Sequence, residues 1–314
     1  MTNALQDLEL ALQQRIGEVV LGVSPAVRAL CIAVVARGHV LVQGVPGLGK
    51  TLLSKSLAAT LGGKFKRIQG TSDLMPTDIT GTHLFDATKN AFVFRPGPLF
   101  ADVVLFDEVN RAGPRTQSAL LEAMEERQLS VDREQFALPP DFLVIATQNP
   151  REFEGTYPLP ESQLDRFMLR LDLSYPTLEA ETAVLVRYTG VAAEPATPVS
   201  SPVPPGLVQA ARAAAAQVHI SPELCAYVLA IAKASREHSQ LSLGLSTRGT
   251  LVLLRAARIL AGIEGAEFVT ADEVKAVAPL VLPHRLMLTA DALLADVTEA
   301  GVVARILEQV PAPR

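Results

Sequence analysis

Hydrophobic side chains between residues 5 and 19 return at three- and four-residue intervals, the spacing of an amphipathic helix. Ser24-Pro25 predicts the start of a second helix, with serine as its cap and proline in its first turn, reaching about Arg37. Beyond it the pattern changes. Short apolar runs within residues 38–43, 64–68, 103–106, 142–146 and 168–173 have the length of buried strands, and helical stretches at 52–61, 117–127 and 178–188 separate or follow them. Strands alternating with helices predict an α/β core built on a parallel sheet.

Two stretches interrupt that alternation. Residues 82–94 set Phe85, Phe92, Val93 and Phe94 around a polar turn, and residues 128–139 repeat the device, so both predict exposed hairpins that serve either as contact devices or as inert insertions. Residues 69–81 are too polar and turn-rich for one regular element. Residues 190–206 carry Pro195, Pro198, Pro202, Pro204 and Pro205 and predict a linker. Alanine- and leucine-rich helices then follow at 207–218, 222–236, 250–261, 271–278 and 290–309, the fourth opening on the capping box Thr270-Ala-Asp-Glu273. The chain thus divides into an α/β core (1–175), a connection (176–206) and a helical domain (207–314).

Composition narrows the class. The 314 residues are 49% hydrophobic, yet no run approaches the roughly 18 apolar residues of a membrane span. Asp7, Glu9, Arg15 and Glu18 break up the N-terminal region, which therefore does not resemble a secretory signal, and a cytoplasmic protein is expected. A formal charge of −5 without a long basic block argues against a dedicated nucleic-acid surface. Cys31 and Cys225 lack metal-site spacing and read as buried free thiols, and the five histidines are scattered.

The chemistry concentrates in residues 44–51, Gly44-Val45-Pro46-Gly47-Leu48-Gly49-Lys50-Thr51, set between a strand and a helix. In that setting the pattern is a phosphate-binding loop: backbone N–H groups face the phosphates, Lys50 reaches the outer ones, and the Thr51 hydroxyl is placed for Mg²⁺. Asp107-Glu108 ends a second apolar strand; Asp107 suits a Mg²⁺ ligand acting through water, and Glu108 suits the group that polarises the attacking water. Asn149, at the polar end of the strand at 142–146, reads equally as a partner of the γ-phosphate or water and as a turn former before Pro150. Arg166 pairs with Asp165 on one reading and projects to a neighbouring subunit's γ-phosphate on the other. Arg248, at the start of a long helix, is either solvated or reaches back to phosphate held by the first domain. Val19-Val-Leu-Gly22 either packs in the core or passes near a nucleotide base.

Asp73-Leu-Met-Pro-Thr-Asp-Ile-Thr-Gly81, Asp107-Glu-Val-Asn-Arg-Ala112, Gln117-Ser-Ala-Leu-Leu-Glu-Ala-Met-Glu-Glu-Arg127, Ala146-Thr-Gln-Asn-Pro150 and Gly155-Thr-Tyr-Pro-Leu-Pro-Glu-Ser-Gln-Leu-Asp-Arg-Phe167 follow the phosphate loop in order. In that order they resemble the MoxR family of AAA+ ATPases over residues 14–289. The resemblance implies an α/β P-loop core with hairpin insertions followed by a small all-helical lid. It implies ATP and Mg²⁺ as cofactors, Asn149 as first sensor, Arg166 as arginine finger and Arg248 as second sensor. It further implies a homo-hexamer that remodels or activates a client enzyme complex, or helps insert a metal cofactor, together with a von Willebrand factor A-domain partner. A chelatase-type motor for metal insertion into a tetrapyrrole and a nucleic-acid motor are the alternatives; the latter lacks a visible basic pore. Three positions depart from the family pattern: Gly70 stands where an aromatic is frequent and is expected to loosen its segment, Phe106 replaces a small residue, and Thr247 replaces proline before Arg248.

Overall fold

A computed structural model describes residues 3–45, 47–132, 134–149, 155–187 and 201–313. Helix α1 (Ala4–Gly17) starts at Asn3, whose side-chain oxygen accepts from the Leu5 and Gln6 N–H groups while the Gln6 side chain accepts from the Asn3 N–H. Helix α2 (Ser24–Ala36) has proline in its first turn as expected, but Ser24 does not cap it. Its hydroxyl instead donates to Gln13 Oε1 at 2.9 Å and ties α2 to α1.

Strand β1 (Val40–Gln43) leads through the glycine loop into α3 (Lys50–Leu61), followed by β2 (Phe65–Gln69). The polar stretch after β2 contains a short helix that periodicity does not reveal, α4 (Pro76–Thr80), started by the Asp78 carboxylate accepting from the Met75 N–H at 2.8 Å. The first hairpin is β3 (Gly81–Asp86) and β4 (Ala91–Pro96). Strand β5 (Val103–Asp107), a 3-10 turn at Val109–Arg111 and α5 (Pro114–Glu126) come next, then the second hairpin, β6 (Gln128–Val131) with β7 (Glu134–Ala137). Strand β8 (Leu143–Gln148), α6 (Glu161–Leu164) and β9 (Leu169–Asp172) complete the core, and the largely exposed helix α7 (Leu178–Arg187) follows in the connection.

The five core strands are all parallel and lie in the order β2-β5-β8-β1-β9. Side chains alternate between faces along each strand. Leu41, Val104, Phe106, Val144 and Ala146 pack under α5 with Leu120, Leu121 and Met124. Val40, Val42, Leu105 and Ile145 face α1, α2 and α3 in a cluster that continues into the C-terminal helices through Leu253, Leu260 and Val274. Strand β1 is flanked by β8 and β9, both reached later in the chain, and its C-terminal end opens on the crevice where a parallel sheet binds ligands.

The C-terminal region comprises α8 (Leu207–Gln217), α9 (Pro222–Arg236), β10 (Leu241–Leu243), α10 (Thr247–Ile263), α11 (Ala271–Val281), β11 (Met287–Leu288), α12 (Ala290–Leu294) and α13 (Glu299–Gln309). A two-stranded ribbon of β10 and β11 thus joins the expected helices. The single helix expected over 290–309 is two, because Asp296 takes a left-handed backbone (φ 53°) and Thr298 caps α13 through the Gly301 N–H at 3.1 Å. Polar ties fix this region to the core: Arg285 Nε to Asp165 Oδ1 at 2.8 Å, His284 Nε2 to the Phe167 carbonyl at 3.0 Å, and Arg212 to the Val34 carbonyl at 2.8 Å. Cys31 is buried as expected, whereas Cys225 is exposed on α9. Among the described residues no helix is long and apolar enough to cross a membrane.

Candidate active site

The phosphate loop joins the end of β1 to α3. Gly44 (φ 154°) passes so close to the Leu173 carbonyl that a Cβ would lie 2.6 Å from it, and Gly49 (φ 77°) takes the left-handed turn that starts α3. Lys50 Nζ donates to the Gly44 carbonyl at 2.6 Å, folding the side chain back over the loop. Gly44, Gly47, Gly49, Lys50 and Thr51 line an open cavity of about 400 Å³ that also receives Asp107, Glu108 and Asn149. Val45 lines an adjoining cavity, Leu48 is half-buried within the loop, and Pro46 and Pro150 lie outside the described residues. Val19 and Val20 are buried, and the Val20 Cγ1 lies 3.8 Å from where a Gly49 Cβ would stand, so these two side chains pack directly behind the loop, whereas Gly22 is exposed.

Across the cavity, β5 delivers the acidic pair into a polar network. Asp107 accepts from the Thr147 hydroxyl at 2.6 Å on one oxygen and from Arg67 at 2.6 Å on the other. Glu108 adopts a left-handed backbone (φ 55°), its N–H donates to Thr147 Oγ1 at 2.8 Å, and its Oε2 accepts from Gln69 at 3.0 Å and Arg111 at 3.2 Å. Gly70 permits that turn. Its N–H donates to the Asp107 carbonyl at 2.7 Å, and a Cβ there would fall 2.1 Å from the Glu108 carbonyl oxygen. Gly70 is therefore a close-packing position, not the loosening one expected from sequence.

Arg67, Gln69 and Thr147 are site residues that the sequence analysis missed. The available signal was positional: polar side chains at the C-terminal ends of strands beside an acidic strand end. Thr51 and Asp107 together offer a hydroxyl and a carboxylate, and among the described residues no group of three or more His, Cys, Asp or Glu could hold a metal. An all-oxygen, sparsely liganded site open to phosphate suits Mg²⁺, which retains waters and takes the rest of its shell from substrate.

Arg166 and Arg248 stand elsewhere. Arg166 pairs with Glu125 Oε2 at 3.1 Å, and Arg248 binds Oε1 of the same carboxylate. Arg166 does not rely on Asp165, which instead holds Arg285 and accepts from the Ser246 hydroxyl at 3.1 Å. That last bond anchors the start of α10 beside α6, so Arg248 lines a cleft with Arg166 and not the chain's own phosphate cavity. Arg248 is thus neither simply solvated nor in contact with the phosphate cavity of its own core; its partner is Glu125. Glu108 precedes α5 and Glu125 lies near the end of that helix, whose 13 residues span about 20 Å.

The hairpins present a separate surface. Phe85 and Phe92 face each other edge-on across the first hairpin, ring centres 5.5 Å apart, and are 56% and 71% exposed. Phe94, in contrast, stacks on Phe136 of the second hairpin at 4.0 Å, and His83 reaches Asp132 at 2.8 Å.

Comparison with known proteins accords with this geometry. Residues 39–169 match the family described as ATPase family associated with various cellular activities (AAA), and residues 233–306 match the AAA lid domain. The uncharacterised protein YeaC of Bacillus subtilis is 40% identical over 282 residues, 90% of this chain and 87% of that protein. Chaperone MoxR1 of Mycobacterium tuberculosis is 39% identical over 305 residues, covering 94% and 80% respectively. Protein MoxR of Paracoccus denitrificans is 35% identical, covering 86% of each. A crystal structure of a Cytophaga hutchinsonii protein superposes with a TM-score of 0.90 at 34% identity, covering 99% of this chain and 96% of that one. With an AAA+ core, a helical lid and similarity over most of its length to proteins named MoxR, the chain belongs to the MoxR family of AAA+ ATPases.

Proposed function

We propose that the chain hydrolyses ATP at a site completed by a second copy and couples that hydrolysis to chaperone-like remodelling of a partner complex. The carrying observation is the division of charged groups between two cavities. The phosphate loop and Asp107-Glu108 line one cavity, while Arg166 and Arg248 meet on Glu125 near the far end of α5. A guanidinium so placed serves phosphate held by a neighbour.

In this reading the loop amides and Lys50 bind the phosphates, Thr51 and Asp107 hold Mg²⁺, and Asn149 orients the terminal phosphate or the attacking water. When bound, Mg²⁺ supplies charge neutralisation at the phosphate oxygens. Glu108, whose carboxylate is oriented by Gln69 and Arg111, polarises the water. The heterologous interface repeats to close a ring, six copies in the family reading. The name chaperone carried by the Mycobacterium tuberculosis relative supports the remodelling role. A von Willebrand factor A-domain protein and a client enzyme complex are the partners this reading assigns.

The test mixes two inactive variants. Arg166→Ala keeps its own phosphate loop but donates no finger; Glu108→Gln donates an intact Arg166 but cannot activate water. Subunit exchange between them should restore hydrolysis at hybrid interfaces, with each variant alone as control. Verified mixed rings without recovery, where wild-type subunits put through the same exchange stay active, would reject the trans role of Arg166.

A further inference from the structure

We propose that Glu125 is a positioning residue that binds Arg166 and Arg248 into one unit and presents both guanidiniums to the terminal phosphate on a second copy of the chain. The proposal rests on the trans reading of Arg166 and gives a role to Glu125, which lies within the Gln117–Arg127 motif but was assigned none there. Its basis is geometric: the two oxygens of one carboxylate are divided between two arginines, Oε2 with Arg166 and Oε1 with Arg248. These arginines come from separate parts of the fold, Arg166 from the turn after α6 and Arg248 from the first turn of α10.

The surrounding charges explain why a carboxylate is needed there. Arg37, Arg127 and Arg255 line the same cleft as Arg166 and Arg248, and its other acid, Asp165, is already held by Arg285. Glu122 and Glu126 line the adjoining cavity with Arg166, but Glu125 is the carboxylate that pairs with both arginines; without it, like charges would favour separation of the two guanidiniums. A carboxylate in the last turn of α5 also faces the negative end of the helix dipole, an unfavourable place unless cations compensate it. The arginines do compensate it: the Arg248 hydrogen bond, then the Arg166 and Arg248 charges, hold the Glu125 carboxyl below its ordinary range against the opposing effect of burial. Each guanidinium has five N–H donors, so contact with Glu125 leaves others for phosphate.

Helix α5 also fixes where this unit stands relative to Glu108. Gln117, near its start, donates to the Val109 carbonyl at 3.1 Å and to the Tyr157 carbonyl at 3.0 Å, locking the helix to the turn that follows the acidic pair. The same rigid element therefore begins at the water-activating end of one site and carries, near its other end, the arginine pair for the next.

The experiment uses full-length Glu125→Ala and Glu125→Gln, the second isosteric but uncharged. Each should bind ATP as wild type does by calorimetry, lower kcat at least tenfold and change KM less than threefold, while Glu125→Asp recovers part of kcat. Mixed with Glu108→Gln under subunit exchange, either variant should regain activity, because the Glu108→Gln subunit supplies an intact arginine unit. Retention of kcat within twofold in Glu125→Gln overturns the proposal. So does loss of activity without recovery in mixtures where Arg166→Ala does recover, which would make Glu125 a structural residue or one acting within its own subunit. Failure of the Arg166→Ala mixture itself would remove the trans reading, and the proposal with it.

Discussion

His39 illustrates how one buried side chain links two elements and makes stability depend on pH. Its Nδ1 accepts from the Val144 N–H at 3.0 Å, which leaves the proton on Nε2 to donate to the Met124 carbonyl at 3.1 Å. Burial, aided by the nearby Arg127 charge, lowers its pKa from 6.5 to about 3. The unfolded chain therefore takes up a proton below pH 6.5 that the native protein refuses until about pH 3. The contribution is fully present above 6.5 and is lost as pH falls through that window, at about 1.4 kcal/mol per pH unit for one proton. His39→Gln should be less stable at pH 7.5 but should show a shallower loss between pH 6.5 and 5 in urea denaturation. Equal slopes for the two proteins would count against His39, since His284, buried beside Arg285, contributes with the same sign in both. Residue-scale legibility followed locality. Lys50, Thr51, Asp107 and Glu108 sit in contiguous patterns dictated by phosphate and metal chemistry, and the structure groups them around one cavity. Arg67, Gln69 and Thr147 reach the acidic pair from about 40 positions away in sequence, where no local pattern marks them.

At the scale of elements, periodicity located every core strand and both hairpins because each has one apolar face or run. It missed α4, a five-residue helix started by a side-chain bond, and it ran α12 and α13 together because the apolar spacing continues through the break. The hairpins differ in what their aromatics do. Phe94 and Phe136 stack to join the two insertions, whereas Phe85 and Phe92 touch mainly each other and solvent. Replacing both Phe85 and Phe92 by serine should leave the melting temperature within a few degrees and basal ATPase activity intact, since surface changes of this kind typically cost less than about 0.5 kcal/mol each. The same variant should lose partner-stimulated activity if this tip contacts client or partner. Full stimulation in the double variant would leave the tip without that role; a large fall in melting temperature would show inward packing that the exposure does not suggest.

For the whole molecule, the decisive relation is that between core and lid, and it was the least legible. The sequence marked Arg248 as the start of a lid helix, but its location depends on Arg285 gripping Asp165 from 120 positions away and on Ser246 binding the same carboxylate. No local spacing encodes those contacts. Their outcome is that both arginines meet on Glu125 and neither lines the phosphate cavity; under the proposed trans reading, hydrolysis then requires neighbouring copies while nucleotide binding remains a property of each chain. Specific ATPase activity should therefore fall on dilution as rings dissociate, in step with sedimentation velocity, whereas the fraction of chains able to bind ATP at saturation should stay constant. Added salt should shift the dilution curve toward higher protein concentration, because an interface built on guanidinium and phosphate charges is screened. Arg166→Ala should remain near its floor at every concentration. Constant specific activity down to concentrations at which the wild-type protein sediments as a single copy would mean that one chain holds the complete site, and Arg166 would then be only the partner of Glu125.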